Sequence, residues 1–234
     1  MIIHSRVGIL LRSVSRIGNV ILVIKTRFDL KSDLVSNVLE TVPEAALRQA
    51  SVKKEQSALL VIDMQKYFSE IAEPILPTLI RTVDACRRAN VPVIFTQHGY
   101  EDPEKDSGML GQWWGDPIVV DTDRWRMIPD IAPWEGENVI RKKRYSAFYE
   151  TDLEMVFRNL GVKDVIVSGV MTNLCCETTA RDAFVRDFRV FFLVDGAATV
   201  SEEYHLASLR NLAYGFAYLK RCEEVIDELE AGGV

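Results

Sequence analysis

From Ser57 onward, short apolar runs alternate with amphipathic stretches of helical length, and that alternation leaves few folds open. Ala58-Leu-Leu-Val-Ile62 is apolar at every position and stops at Asp63, the pattern of a strand covered on both faces. Further strands are predicted at Pro92–Thr96, Asn138–Arg141, Asp164–Ser168 and Arg189–Val194. Helical periodicity predicts helices at Ile75–Ala89, Thr151–Leu160, Asn173–Asp187 and Glu202–Cys222, with Gly161 at the position a helix C-cap favours. Strands alternating with helices imply βαβ crossovers, a parallel sheet and helices on both faces. The predicted class is therefore α/β: a three-layer α/β/α fold on a mainly parallel sheet of about six strands. His98 to Asp123, rich in Gly, Asp, Pro and Trp, reads as a long functional loop.

Residues 1–56 read differently and form an N-terminal extension to a single domain at 57–234. The extension holds a β-like run at Asn19–Lys25 and a predicted helix from Lys31 to about Gln49. Its first 31 residues carry Arg6, Arg12, Arg16, Lys25, Arg27 and Lys31 against one acid, Asp29. Such a start can be an organellar targeting segment, but an extension packed on the domain or an upstream start codon is the plainer reading. Its longest clean apolar run, Val20 to Ile24, is far short of the roughly 20 residues a spanning helix needs.

Composition narrows the function classes. The net charge of −6 supplies no basic field for phosphates, which argues against nucleic acid as a partner. Four cysteines, with no CxxC pair, suggest neither a disulfide scaffold nor a zinc site. Reduced thiols and a cytoplasmic location are the default expectation, with organellar import the alternative raised by the basic start.

Three chemically capable residues are predicted at the carboxyl ends of strands, where open α/β sheets place their sites. Asp63 follows the first strand, Lys142 follows Asn138–Arg141, and Cys175 lies just past Asp164–Ser168. A carboxylate, an ammonium and a thiol on one rim make a nucleophilic constellation. A free thiol titrates near 8.5. A helix N-terminus and a nearby lysine would favour its thiolate. Asp63 can take the thiol proton and return it to a leaving amine. Taken singly, each also has a plain structural reading: a turn-forming Asp, a solvated Lys, a core Cys.

Three ordered blocks carry a resemblance to the isochorismatase-like cysteine hydrolase superfamily, spanning about residues 57–220. They are Ala58-Leu-Leu-Val-Ile-Asp-Met-Gln65, Lys142-Lys-Arg-Tyr-Ser-Ala-Phe148 and Ser168-Gly-Val-Met-Thr-Asn-Leu-Cys-Cys-Glu-Thr-Thr-Ala-Arg-Asp-Ala183. The resemblance implies Asp63, Lys142 and Cys175, not Cys176, as the catalytic set. It also implies a cis peptide between Val170 and Met171, and an oxyanion hole from the backbone amides of Met171 and Cys175. Members with the full set hydrolyse amides through a thioester. Gly108-Met-Leu-Gly-Gln-Trp-Trp114 and the run Asn211–Leu219 look most like plant-type nicotinamidases and their microbial relatives. The implied reaction is nicotinamide to nicotinate plus ammonia, by a homo-oligomer, dimer or tetramer, with no cofactor.

One stretch departs from that pattern. Many microbial nicotinamidases hold a divalent metal through Asp-x-His and a further His just after the second strand. Here the stretch reads Thr96-Gln-His-Gly-Tyr-Glu-Asp-Pro103, with His98 the one histidine in it. No metal bound in that manner is expected, and His98 instead becomes a candidate donor to the substrate ring. Gln65, Phe68, Trp113, Trp114, Tyr145 and Phe148 join it as candidate pocket residues, since planar substrates favour aromatic walls. Cys176, about 100° round a helix from Cys175, is expected to point into the core. Two rival readings remain: a C–N hydrolase of the same family acting on a ureido or carbamoyl substrate, and a catalytically idle binding member.

Overall fold

The computed structural model describes residues 48–231. The strand at Asn19–Lys25 lies outside them, as does nearly all of the helix expected from Lys31; Arg48 and Gln49, at its end, are not helical.

Six strands form one sheet: β1 (Ser57–Ile62), β2 (Val93–His98), β3 (Asn138–Lys142), β4 (Asp164–Val170), β5 (Arg189–Ala198) and β6 (Tyr218–Lys220). The order is β3-β2-β1-β4-β5-β6, and every pairing is parallel. The six principal helices are α1 (Leu76–Arg88), α2 (Gly108–Trp114), α3 (Leu153–Asn159), α4 (Glu177–Phe184), α5 (Glu202–Gly215) and α6 (Cys222–Ala231).

The apolar runs sort by parity into two cores. Ala58, Leu60 and Ile62 face one side of the sheet, with Val165, Val167, Phe192 and residues of α3, α4 and α5. Leu59 and Val61 face the other, with Phe95, Ile166, Phe191 and residues of α1 and α6. Period-2 alternation with both faces apolar is what a sheet sandwiched between helices requires. The three-layer expectation is met.

Three local expectations are corrected. The segment predicted as one helix, Glu202–Cys222, breaks at Gly215. The N–H groups of Phe216 and Ala217 both donate to the Leu212 carbonyl, and the chain then enters β6 beside β5. Three residues are too few for periodicity to reveal a strand. The stretch read as a loop contains α2, closed by Gly115 at φ +67. The helix predicted from Asn173 begins at Glu177, preceded by a single π turn, Thr172–Cys176. Gly161 ends α3 with φ +69, as its C-cap position predicted.

The sheet order reverses at β1 and β4: β2 and β3 extend one way from β1, β5 and β6 the other way from β4. This switch point opens a crevice at the carboxyl ends of the strands. Ile62 pairs with Gly169 there, and a Cβ on Gly169 would sit 2.1 Å from the Ile62 carbonyl oxygen. Only glycine fits that approach, and φ +105 suits it as well.

Candidate active site

The crevice gathers Asp63, Lys142 and Cys175. Lys142 Nζ lies 2.7 Å from Asp63 Oδ2, 3.3 Å from Cys175 Sγ and 2.9 Å from the Arg144 carbonyl oxygen. An ammonium has three donors, and these three partners occupy them all. Asp63 sits just past β1 in the left-handed backbone region, φ +51, which is uncommon for a residue other than glycine. Thr96 on neighbouring β2 holds it there, accepting from the Asp63 N–H at 3.1 Å and donating to Oδ1 at 2.6 Å.

Electrostatics set the protonation states. Burial alone would push the Lys142 ammonium down, but the Asp63 carboxylate and the Cys175 sulfur hold it above the ordinary lysine value. Burial pushes the Cys175 thiol up to about 12; Asp63 adds to the rise and Lys142 opposes it. This corrects the expectation of a favoured thiolate. At rest the site holds an ammonium–carboxylate pair beside a protonated thiol. Such a set can transfer the thiol proton to Asp63 as sulfur attacks, with the ammonium holding the developing charge in place.

Two clamps position the sulfur. The Tyr145–Phe148 segment, just after β3, docks on α4: Ser146 Oγ donates to Asp182 Oδ2 at 2.5 Å and the Ala147 N–H to Thr179 Oγ1 at 3.0 Å. From α5, His205 Nδ1 lies 2.9 Å from Thr172 Oγ1, and Nε2 lies 3.0 Å from the Val194 carbonyl oxygen. That carbonyl only accepts, so Nε2 carries the proton and Nδ1 accepts from the Thr172 hydroxyl. Burial lowers His205 to about 4, which keeps the ring neutral. The Val170–Met171 peptide is cis, and Met171 immediately precedes the π turn carrying Cys175. Cys176 is fully buried, its sulfur 3.8 Å from the Ser168 carbonyl oxygen, in the core as expected.

With this geometry in place, kinship is decisive. A family model described as the isochorismatase domain matches residues 57–224. The chain belongs to the isochorismatase family. Nicotinamidase 3 of Arabidopsis thaliana is 49% identical over 181 residues, 76% of this chain and 91% of that protein. A solved cysteine hydrolase from Pseudomonas syringae pv. phaseolicola 1448A aligns with a TM-score of 0.76 at 29% identity, covering 79% of this chain and 97% of its own. An N-carbamoylsarcosine amidase from Thermoplasma acidophilum aligns at 0.63 and 27%, covering 72% and 97%.

In this isochorismatase-family chain the candidate pocket residues separate. Lys142 and His98 are register partners on β3 and β2, so His98 stands beside the buried lysine. Burial lowers the His98 ring to about 4, with Lys142 adding to the effect. Tyr145 is only partly buried, and its hydroxyl accepts from Trp114 Nε1 at 2.8 Å. Trp113 is 70% exposed, and Phe68 packs beside the α1 core. Two expectations are corrected. The Phe148 ring belongs to a cluster with Phe157 and Phe188, under Arg186, inside the core. Gln65 is fully buried and spends its amide on backbone, donating to the His98 and Trp125 carbonyls and accepting from the His98 N–H, so it braces β2. Thr96, Tyr100, Asp106 and His205 were not singled out from sequence. Among the described residues, no group of three or more His, Cys, Asp or Glu could hold a metal ion. The ligand set of the microbial enzymes does not fit here.

Proposed function

We propose that this protein is a cysteine-dependent amidohydrolase that converts nicotinamide to nicotinate and ammonia. The observation that carries the reading is the fully buried Asp63–Lys142 pair with Cys175 Sγ 3.3 Å from the ammonium; the 49% identity to a nicotinamidase supports nicotinamide as the substrate. In this reading Cys175 attacks the carboxamide carbon as its proton passes to Asp63. The oxyanion rests on the backbone amides of Met171 and Cys175. Asp63 protonates departing ammonia, leaving a thioester, then takes a proton from the water that hydrolyses it. Lys142 stays charged throughout. In this reading Trp113, Trp114 and Tyr145 belong to the pocket wall, the last two joined by a hydrogen bond, and a homo-oligomer is part of the same proposal.

Ammonia release over nicotinamide, ureidoacrylate, biuret and N-carbamoyl compounds tests it. Turnover of nicotinamide above the others is the expected outcome. The structural likeness to an N-carbamoylsarcosine amidase supports the second reading, which preference for a carbamoyl substrate would establish in its place. An inert thiol with no turnover of any amide would instead point to a binding member.

A further inference from the structure

Three buried side-chain polar atoms among the described residues have no hydrogen-bond partner, His98 Nδ1, Tyr100 Oη and Asp106 Oδ1, and a fourth, Asp63 Oδ2, meets only the Lys142 ammonium. They are not scattered. Asp63 and Lys142 bear on the His98 ring, while Lys142, Arg144, Asp106 and Cys175 bear on the Tyr100 phenol. Buried polar groups are normally paired, and several left unpaired beside one another mark the place of a polar ligand.

The chemistry of the four atoms differs. Asp63 Oδ2 and Asp106 Oδ1 belong to carboxylates held by Lys142 and Lys143, and they accept only. His98 is neutral and donates from one nitrogen at most. The Tyr100 hydroxyl is therefore the assured free donor. It is also rigidly placed. The Tyr100 N–H donates to the Ile118 carbonyl and its carbonyl accepts from the Val120 N–H, each at 2.9 Å. The ring meets His98 edge to face, with centroids 5.0 Å apart, and the residue is 2% exposed.

An aromatic carboxamide whose amide is spent at Cys175 has one further polar atom if its ring is a pyridine: a nitrogen that accepts and cannot donate. We propose that the Tyr100 phenol donates to that ring nitrogen, so that position 100 selects N-heteroaromatic carboxamides over carbocyclic ones. The inference rests on the amidohydrolase reading above.

The test compares kcat/KM for nicotinamide and benzamide, which has C–H in place of the ring nitrogen, in the wild-type protein and Tyr100→Phe. The wild type should prefer nicotinamide at least tenfold. Tyr100→Phe should lose about tenfold on nicotinamide, the scale of one hydrogen bond, and change little on benzamide. Its melting temperature should not fall, because the lost hydroxyl has no partner in the protein. A retained preference, or an equal loss on both amides with a lowered melting temperature, overturns the assignment and leaves the amidohydrolase reading standing. No turnover of nicotinamide by the wild type overturns both.

Discussion

The Lys142 ammonium stands 2.7 Å from Asp63 Oδ2 with both side chains completely shut off from solvent. Breaking such a pair strands the surviving charge, which costs about 3–5 kcal/mol. Lys142→Met should therefore lower stability by that order and abolish turnover. Lys143→Met should do neither, since that lysine is half exposed and pairs with Asp106 at the surface. Urea denaturation and ammonia release measure both. Equal behaviour of the two variants would contradict the assignment of Lys142.

Cys175→Ser should cost roughly 10³-fold or more in kcat, on the scale seen when a nucleophile is removed, and leave the fold intact. Cys176→Ser places a hydroxyl in a dry core and should cost about 1–2 kcal/mol in stability while keeping most of the activity. Turnover by Cys175→Ser alongside an inactive Cys176→Ser would show that the nucleophile is the other thiol.

Asp63 and Lys142 pull the thiol in opposite directions. Asp63→Asn removes a charge that raises the Cys175 pKa, so iodoacetamide should label the sulfur faster at pH 8–9 even as turnover disappears. Lys142→Met removes a charge that lowers it, so labelling should slow. Changes of the same sign in both variants would mean that neither charge governs the sulfur.

His205 touches no reacting atom, yet it fixes Thr172 at the start of the turn that carries Cys175. His205→Phe should lower kcat by about fivefold with KM nearly unchanged, since losing one hydrogen bond is worth about 1 kcal/mol. His205→Asn, which can still accept from Thr172, should recover part of the loss. A rise in KM with kcat intact would place His205 in substrate binding instead.

His98 and His205 are both lowered to about 4 by burial, whereas an unfolded histidine titrates near 6.5. The unfolded chain therefore binds more protons between these values. The stability contributed by the neutral rings is complete above pH 6.5 and is lost as pH falls through 4, on the order of 3 kcal/mol apiece. Denaturation free energies from pH 7 to 4 should fall along that curve. A flat profile would show that the rings do not stay neutral in the fold.

The two-faced strands were legible because Leu59 and Leu60 point to opposite cores and both must be apolar. Asp63 and Cys175 were legible because strand ends in a parallel sheet share one rim and because the blocks around them resemble the family's; the rim alone left a turn-forming Asp and a core Cys equally open. Thr96 was not, because its role depends on which strand lies beside β1, and one threonine in an apolar run carries no mark of that. Tyr100 left a fainter signal: it follows His98 by two residues, the period that brings side chains to one face of an extended chain. The raised thiol was beyond reach, since a helix end and a lysine can be counted from sequence while the depth of burial cannot. Phe148 was assigned to the pocket wall from its neighbours in the block, but its ring turns toward Phe157 and Phe188.

Lys142 gives its three N–H groups to Asp63, Cys175 and the Arg144 carbonyl, and so has nothing left to offer an incoming molecule. It cannot discriminate among substrates, and no change of substrate requires it to change. Under the assignment proposed for Tyr100, reading of the ring falls to a residue that shares no hydrogen bond with the thiol. The two tasks then rest on different side chains, although the backbone joins them, since the Gly99 N–H donates to the Lys142 carbonyl. An arginine in place of Lys142 would defeat this arrangement, because a flat guanidinium cannot send single donors in three diverging directions.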